Sequence, residues 1–228
     1  MGTTTREFIS ALTEHHRVIV IGGLAVIAHG FNRPTKDADV WLDPMKTPEA
    51  WAEVLEETCG RFATLTMHTL PGWKRISGPE IAAAADEVGL VRILGLDCPM
   101  DVFRRPNEFE EDSFEEVFSR CSRNVDGTWL PDPLDLAISK DQTNRDKDIH
   151  DINFLEGLVR ERWIKLLPAA DLSEARSLFE RFVDWRTCEA ALANPDPGVR
   201  KLATSHLQEL AAEGDPFSQA ILEGREIP

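Results

Sequence analysis

Apolar positions along the chain follow two rhythms, and the change between them falls near residue 132. Up to that point, short runs with strand periodicity alternate with amphipathic stretches. RVIVI (17–21) is β-branched and predicts a buried strand. GLAVIAHG (23–30) predicts a short helix that stops at Gly30. DADVWLD (37–43) alternates. Asp37, Asp39, Trp41 and Asp43 fall on one face and Ala38, Val40 and Leu42 on the other, so a half-buried strand is expected. Two further strands are expected at 90–96 and 100–105, joined by a turn through Asp97–Pro99, and another at 61–70.

Helices are expected at 4–15, 47–60, 78–89 and 112–121. The second carries Thr47 as cap, Pro48 at its first position and Gly60 at its end. Asp126-Gly127 is the strongest hairpin signal. From Asp132 onward the pattern is helical. One segment begins at Pro133, a second covers DKDIHDINFLEGLVRERW, and a third runs from Asp171 to Ala193 with a stripe of Ala175, Leu178, Phe179, Phe182 and Trp185. Two closing segments share an Asp cap, Pro and terminal Gly. The expected class is α+β: a mixed-sheet core over 1–131 with flanking helices, then a helical part over 132–228.

Charge narrows the partners. The net charge is −15, and residues 1–150 and 151–228 are each net negative. A long nucleic-acid groove needs many phosphate-neutralising cations, so no extended groove is expected. No apolar run is long enough to span a bilayer. The N-terminal residues lack the basic-then-apolar layout of a signal peptide. Cys59, Cys98, Cys121 and Cys188 form no CxxC pair, which points to reduced thiols and a cytoplasmic setting.

The chemistry concentrates in VIVIGGLAVIAHGFNRPTKDADVWLD (18–43). A strand ends at Gly22-Gly23, where a helix begins with free backbone N–H groups and no Cβ in the way, a place suited to phosphate. Asp37 and Asp39 follow on one strand face. Two carboxylates so close repel, and a hard divalent cation removes that cost. Asp101, in PMDVF, alternates onto the same side as Phe103 and joins the pair if its strand lies beside 37–43. Three acids around a metal pair suit in-line transfer of a phosphoryl or nucleotidyl group.

The order apolar–Gly-Gly, spacer, Asp-apolar-Asp-apolar, later Asp resembles the nucleotidyltransferase superfamily with the polymerase-beta-like fold. RPTKDADVWLD is similar to the branch that includes AbiEii-type toxins. That branch carries a further Lys…Arg-x-Lys-Asp…Asp motif, met here by Lys140, Arg145, Lys147, Asp148 and Asp151. The resemblance implies transfer of an NMP from an NTP with Mg²⁺ or Mn²⁺. Asp37, Asp39 and Asp101 would hold metal, with Asp101 as base. Gly22, Gly23 and Lys140 would contact the triphosphate, supported by Arg145 and Lys147, with Asp148 orienting one of these cations or contacting substrate. It further implies a toxin-like role that modifies an RNA end or another cellular target, with an antitoxin protein as a possible partner. The resemblance covers roughly 17–43, 90–105 and 132–155. Gly23 stands where many members carry Ser.

Two alternatives stand beside this reading. The acceptor could be a small hydroxylated molecule such as an antibiotic, a cationic one suiting the acidic chain. A noncatalytic nucleotide- or protein-binding member of the fold is disfavoured by the presence of all three acids. Arg33, Thr35 and Lys36 read equally as phosphate ligands or a polar loop. Trp41 reads as core, and His150-Asp151 as a solvated helix face.

Overall fold

The computed structural model describes residues 2–106, 113–124, 127–141 and 148–225. The chain divides into two compact units, Met1–Leu155 and Glu156–Pro228.

The first unit is built on a mixed sheet of eight strands: β1 Val18–Ile21, β2 Ala38–Leu42, β3 Thr66–His68, β4 Arg75–Ile76, β5 Leu90–Leu94, β6 Met100–Phe103, β7 Ser122–Arg123 and β8 Trp129–Leu130. Their order across the sheet is β4-β3-β5-β6-β2-β1-β8-β7. The pairs β2–β6 and β1–β8 are parallel, and the others antiparallel. Helices α1 Thr5–Thr13, α2 Gly22–Ala28, α3 Pro48–Gly60, α4 Pro79–Glu87, α5 Ser113–Arg120 and α6 Pro133–Asp141 surround it.

The alternation in β2 places its two faces in two different cores. Ala38, Val40 and Leu42 join Phe8, Leu12, Val26, Trp51, Leu55 and Met100 in the larger one. Trp41 packs on the other side with Ile19, Ile21, Phe114 and Val117. Its indole meets Phe114 edge-on at 5.1 Å and donates to the Arg104 carbonyl at 3.1 Å. β2 is therefore buried on both faces along its apolar length, not half-buried, because α5 covers the side expected to face solvent. Trp41 is core, as expected of the residue, although it lies on the strand face expected to meet solvent. The strand expected over 61–70 narrows to β3. The hairpin forms between β7 and β8, with Asn124 N–H bonded to the Thr128 carbonyl at 2.7 Å; Asp126 lies outside the described residues.

The boundary expected at 131/132 differs from the division at 155/156. Leu136 and Ala137 of α6, and Leu155 of α7 (Ile149–Leu166), belong to the sheet's own core. The helical rhythm begins at residue 133, but these side chains are buried against strands.

The second unit comprises the rest of α7 with α8 Leu172–Arg181, α9 Trp185–Leu192, α10 Pro197–Ala212 and α11 Pro216–Leu222. The single helix expected over 171–193 is two. Phe182 leaves α8 in an extended conformation, and Asp184 caps α9 by accepting from Arg186 N–H at 2.9 Å. Phe182 turns its ring edge to Trp163 instead of extending a helical stripe. The Asp-Pro starts act as expected: Asp196 accepts from Gly198 N–H and Asp215 from Ser218 N–H.

Asn194 closes the turn before α10. Its amide donates to the Leu167 and Ala170 carbonyls at 2.7 and 2.8 Å, and its oxygen accepts from Asp196 N–H at 2.8 Å. With 2 % of the residue exposed, water cannot replace these bonds. Asn194→Ala should cost about 3 kcal/mol, read from urea unfolding of the intact chain followed by circular dichroism.

Candidate functional site

β1 delivers the chain to Gly22, where α2 begins. Gly22 has φ of 61°, in the left-handed region that favours glycine, and any Cβ there would run into the Asp39 carboxylate. A Cβ on Gly23 would stand 2.5 Å from Thr35 Oγ1 and 3.1 Å from an Arg33 nitrogen. The bareness of both glycines thus admits the protein's own polar side chains. No side chain caps α2.

Strand register assembles the rest. Ile21 sits opposite Asp39, Asp39 beside Asp101, Asp101 beside Arg92, Arg92 beside His68, and His68 beside Arg75. Register neighbours project from the same face, so one row of side chains crosses five strands: two carboxylates, then Arg92, His68 and Arg75. Asp37 lies exposed one pleat before Asp39, and Thr35 Oγ1 donates to its carbonyl at 3.1 Å.

The charges are unevenly shielded. Arg92 Nε and Nη2 donate to the two Asp101 oxygens at 2.6 and 2.5 Å, and this fork raises the arginine's own pKa. Its guanidinium also lies 4.7 Å from the Trp73 ring centroid. Asp39 has no such fork. Burial first, then the neighbouring charges of Asp37 and Asp101, push its pKa from 3.8 up to about 7, against the opposing pull of Lys140 and Arg92.

Lys140 comes from α6, which packs against α2. It is buried, with Nζ 2.9 Å from Asp151 Oδ2 and 3.4 Å from Asp148 Oδ1. Asp151 also accepts from Arg33 Nη2 at 2.7 Å. The residue is 1 % exposed, so it is no part of a solvated face. His150, beside it in the chain, is exposed. Asp151 Oδ1 and Arg33 Nε are buried without a hydrogen-bond partner among the described residues. Lys36 is exposed. Arg145 and Lys147 lie outside the described residues.

The register therefore brings Asp39 and Asp101 together. Asp37 and Lys140 act on Asp39 electrostatically, and Arg33 links the Gly23 turn to Asp151. Motif spacing gives no hint of Arg92. Its one sequence signal is a lone cation inside the apolar run LVRIL, which a buried strand tolerates only with a partner.

Among the described residues, no group of three or more Asp, Glu, His or Cys side chains stands at metal-ligating separation. Asp101 is turned to Arg92. The donor chemistry nonetheless fits a hard cation at Asp37 and Asp39: both offer oxygen, and the suppressed ionisation of Asp39 marks a place where added positive charge is favoured. No protein-family model matches the chain, and no curated protein matches it. Among the described residues no helix is long and apolar enough to cross a membrane.

The raised pKa has a consequence for stability. The folded state holds the Asp39 proton more tightly than the unfolded chain does. That contribution is fully present below the ordinary carboxylate pKa and is lost as pH rises through about 7. In chelator, Asp39→Asn should therefore gain in stability over the parent protein from pH 4 to pH 7, by a few kcal/mol on the order set by such a shift, and then level off. Thermal melts across pH read this directly; a difference independent of pH would show that Asp39 ionises freely.

Proposed function

We propose that the protein is a divalent-cation-dependent nucleotidyltransferase that moves a nucleoside monophosphate from an NTP to an acceptor hydroxyl, on a nucleotidyltransferase-like core. The observation that carries this reading is the pairing of Asp39 with Asp101 on adjacent parallel strands, immediately over the Gly22 turn and within the field of Lys140. Carboxylates, a glycine turn and a buried cation at one strand end match what transfer between phosphates and hydroxyls requires.

Asp37 and Asp39 hold Mg²⁺ or Mn²⁺, with Asp101 as the third carboxylate. When bound, the cation lowers the pKa of the attacking hydroxyl and offsets charge on the triphosphate. By the family resemblance, the Gly22-Gly23 turn would contact the phosphates of the donor. Lys140 supplies positive charge to the same place while compensating Asp148 and Asp151. By the same resemblance, Arg145 and Lys147 would support the phosphate site. Asp101 receives the acceptor proton as the acceptor oxygen bonds to the α-phosphorus and pyrophosphate departs.

An RNA end is the acceptor class that the family resemblance favours, with a toxin-like role and an antitoxin partner. The net charge of −15 favours the second reading, a small cationic hydroxylated acceptor. Either way, a long polyanion finds no extended basic groove. Four free cysteines suit the cytoplasm.

Incubation with labelled NTPs, Mg²⁺ and a panel of RNA, protein and small-molecule acceptors tests the reading. Transfer should fall at least about a hundredfold in Asp37→Asn and in Asp39→Asn, with the melting temperature of Asp39→Asn no lower than the parent's. Lys140→Ala should raise the KM for NTP about tenfold. It should also lower stability, because two buried carboxylates lose a cation. Absence of labelled product with every acceptor and NTP, at protein concentrations where NTP binds, would favour the noncatalytic alternative.

A further inference from the structure

Arg92 stands in an unusual position for a residue of this site. It stands in the row where the two carboxylates give way to His68 and Arg75, and it bonds Asp101 through both oxygens. The Arg92 side chain is 14 % exposed and that of Asp101 9 %, so the fork is largely shielded from water and from salt. Asp37 and Asp39 also act on the guanidinium. The arm is held from its other side by the Trp73 ring. Trp73 is 52 % exposed and has φ of 55°, a backbone conformation that a bulky residue adopts at some cost. His68, the next residue in the row, is bonded to the Trp73 carbonyl at 3.0 Å and to Thr66 Oγ1 at 3.0 Å, which fixes the loop carrying the indole.

We propose that Arg92 is a positioning residue for Asp101: its fork holds the third carboxylate closed against a divalent cation, and the arm must leave Asp101 for the three-acid site to load. This rests on the reading of Asp37, Asp39 and Asp101 as cation ligands. The geometry supplies both the closed state and a route out of it. A forked guanidinium occupies the two oxygens side by side, the orientation through which a carboxylate also meets a cation. Trp73 stands at the surface, so the guanidinium can move outward while keeping its face on the ring. Resident positive charge also answers the repulsion among the acids before a cation arrives, so Arg92 and the cation are alternatives for one place.

The test is the affinity of the intact protein for Mn²⁺ without nucleotide, measured from the free-ion signal in electron paramagnetic resonance and by calorimetry, with melts as the fold control. Arg92→Gln should bind roughly tenfold more tightly than the parent protein. Arg92→Lys keeps the charge but not the fork, and should still bind roughly threefold more tightly. In an Asp101→Asn background, the gain from Arg92→Gln should shrink to about twofold, the part left by charge alone. Equal affinity of Arg92→Lys and the parent protein would show that net charge alone matters and would overturn the proposal. So would an Arg92→Gln gain that is undiminished in Asp101→Asn. Failure of every protein to bind Mn²⁺ would overturn the carboxylate site itself and the proposal with it. Normal Mn²⁺ binding that Arg92→Lys leaves unchanged would overturn the proposal alone.

Discussion

The parallel pairing of β2 with β6 sets two carboxylates side by side, and the first unit is arranged around the electrostatic consequence. Neither acid is fully solvated, and Asp37 adds a third charge from the exposed end of the strand. Like charges at such separations are tolerated only with compensation. Compensation arrives from two directions. Arg92 comes from the next strand, Lys140 from a helix a hundred residues further along the chain, and burial with the uncompensated repulsion raises the Asp39 pKa to about 7, which favours its protonated form. Gly22 belongs to the same arrangement, since only a residue without Cβ leaves room for the Asp39 carboxylate above the turn.

Much of this can be read from local pattern, because alternation and capping are local physics. The two faces of β2 follow from side-chain periodicity, the neighbouring β5 and β6 from the short turn through Asp97–Pro99, and the Asp-Pro helix starts from capping. What escapes local pattern is whatever depends on partners distant in sequence. β2 is buried twice because α5 returns to cover it. The chain from 133 to 155 looks like a separate helical part yet gives Leu136, Ala137 and Leu155 to the sheet core. Phe182 continues a helical stripe on paper, but the Asp184 cap ends the helix first. At the site, the acids are visible through their spacing, whereas Arg92 becomes meaningful only once strand order places it beside Asp101.

In the Lys140–Asp151–Arg33 group, residues proposed to meet phosphate also carry a structural role. Asp151 holds the buried Lys140 ammonium in place through a 2.9 Å contact. The cost is that the carboxylate is itself buried, which is why it draws on Arg33 from the loop before β2 as well. Loop, turn and helices are thereby joined through one acidic side chain.

The placement of Trp73 also gives the molecule an optical asymmetry. The chain has six tryptophans and no tyrosine. Trp41, Trp51 and Trp163 are sealed in apolar surroundings, whereas Trp73 has half its surface in water and lies against the guanidinium that holds Asp101. Emission from the sealed indoles belongs at shorter wavelength and resists a collisional quencher, while the red edge of the spectrum draws on Trp73 together with the partly exposed Trp129 and Trp185. The most exposed of the protein's native fluorophores thus lies against the guanidinium that holds Asp101.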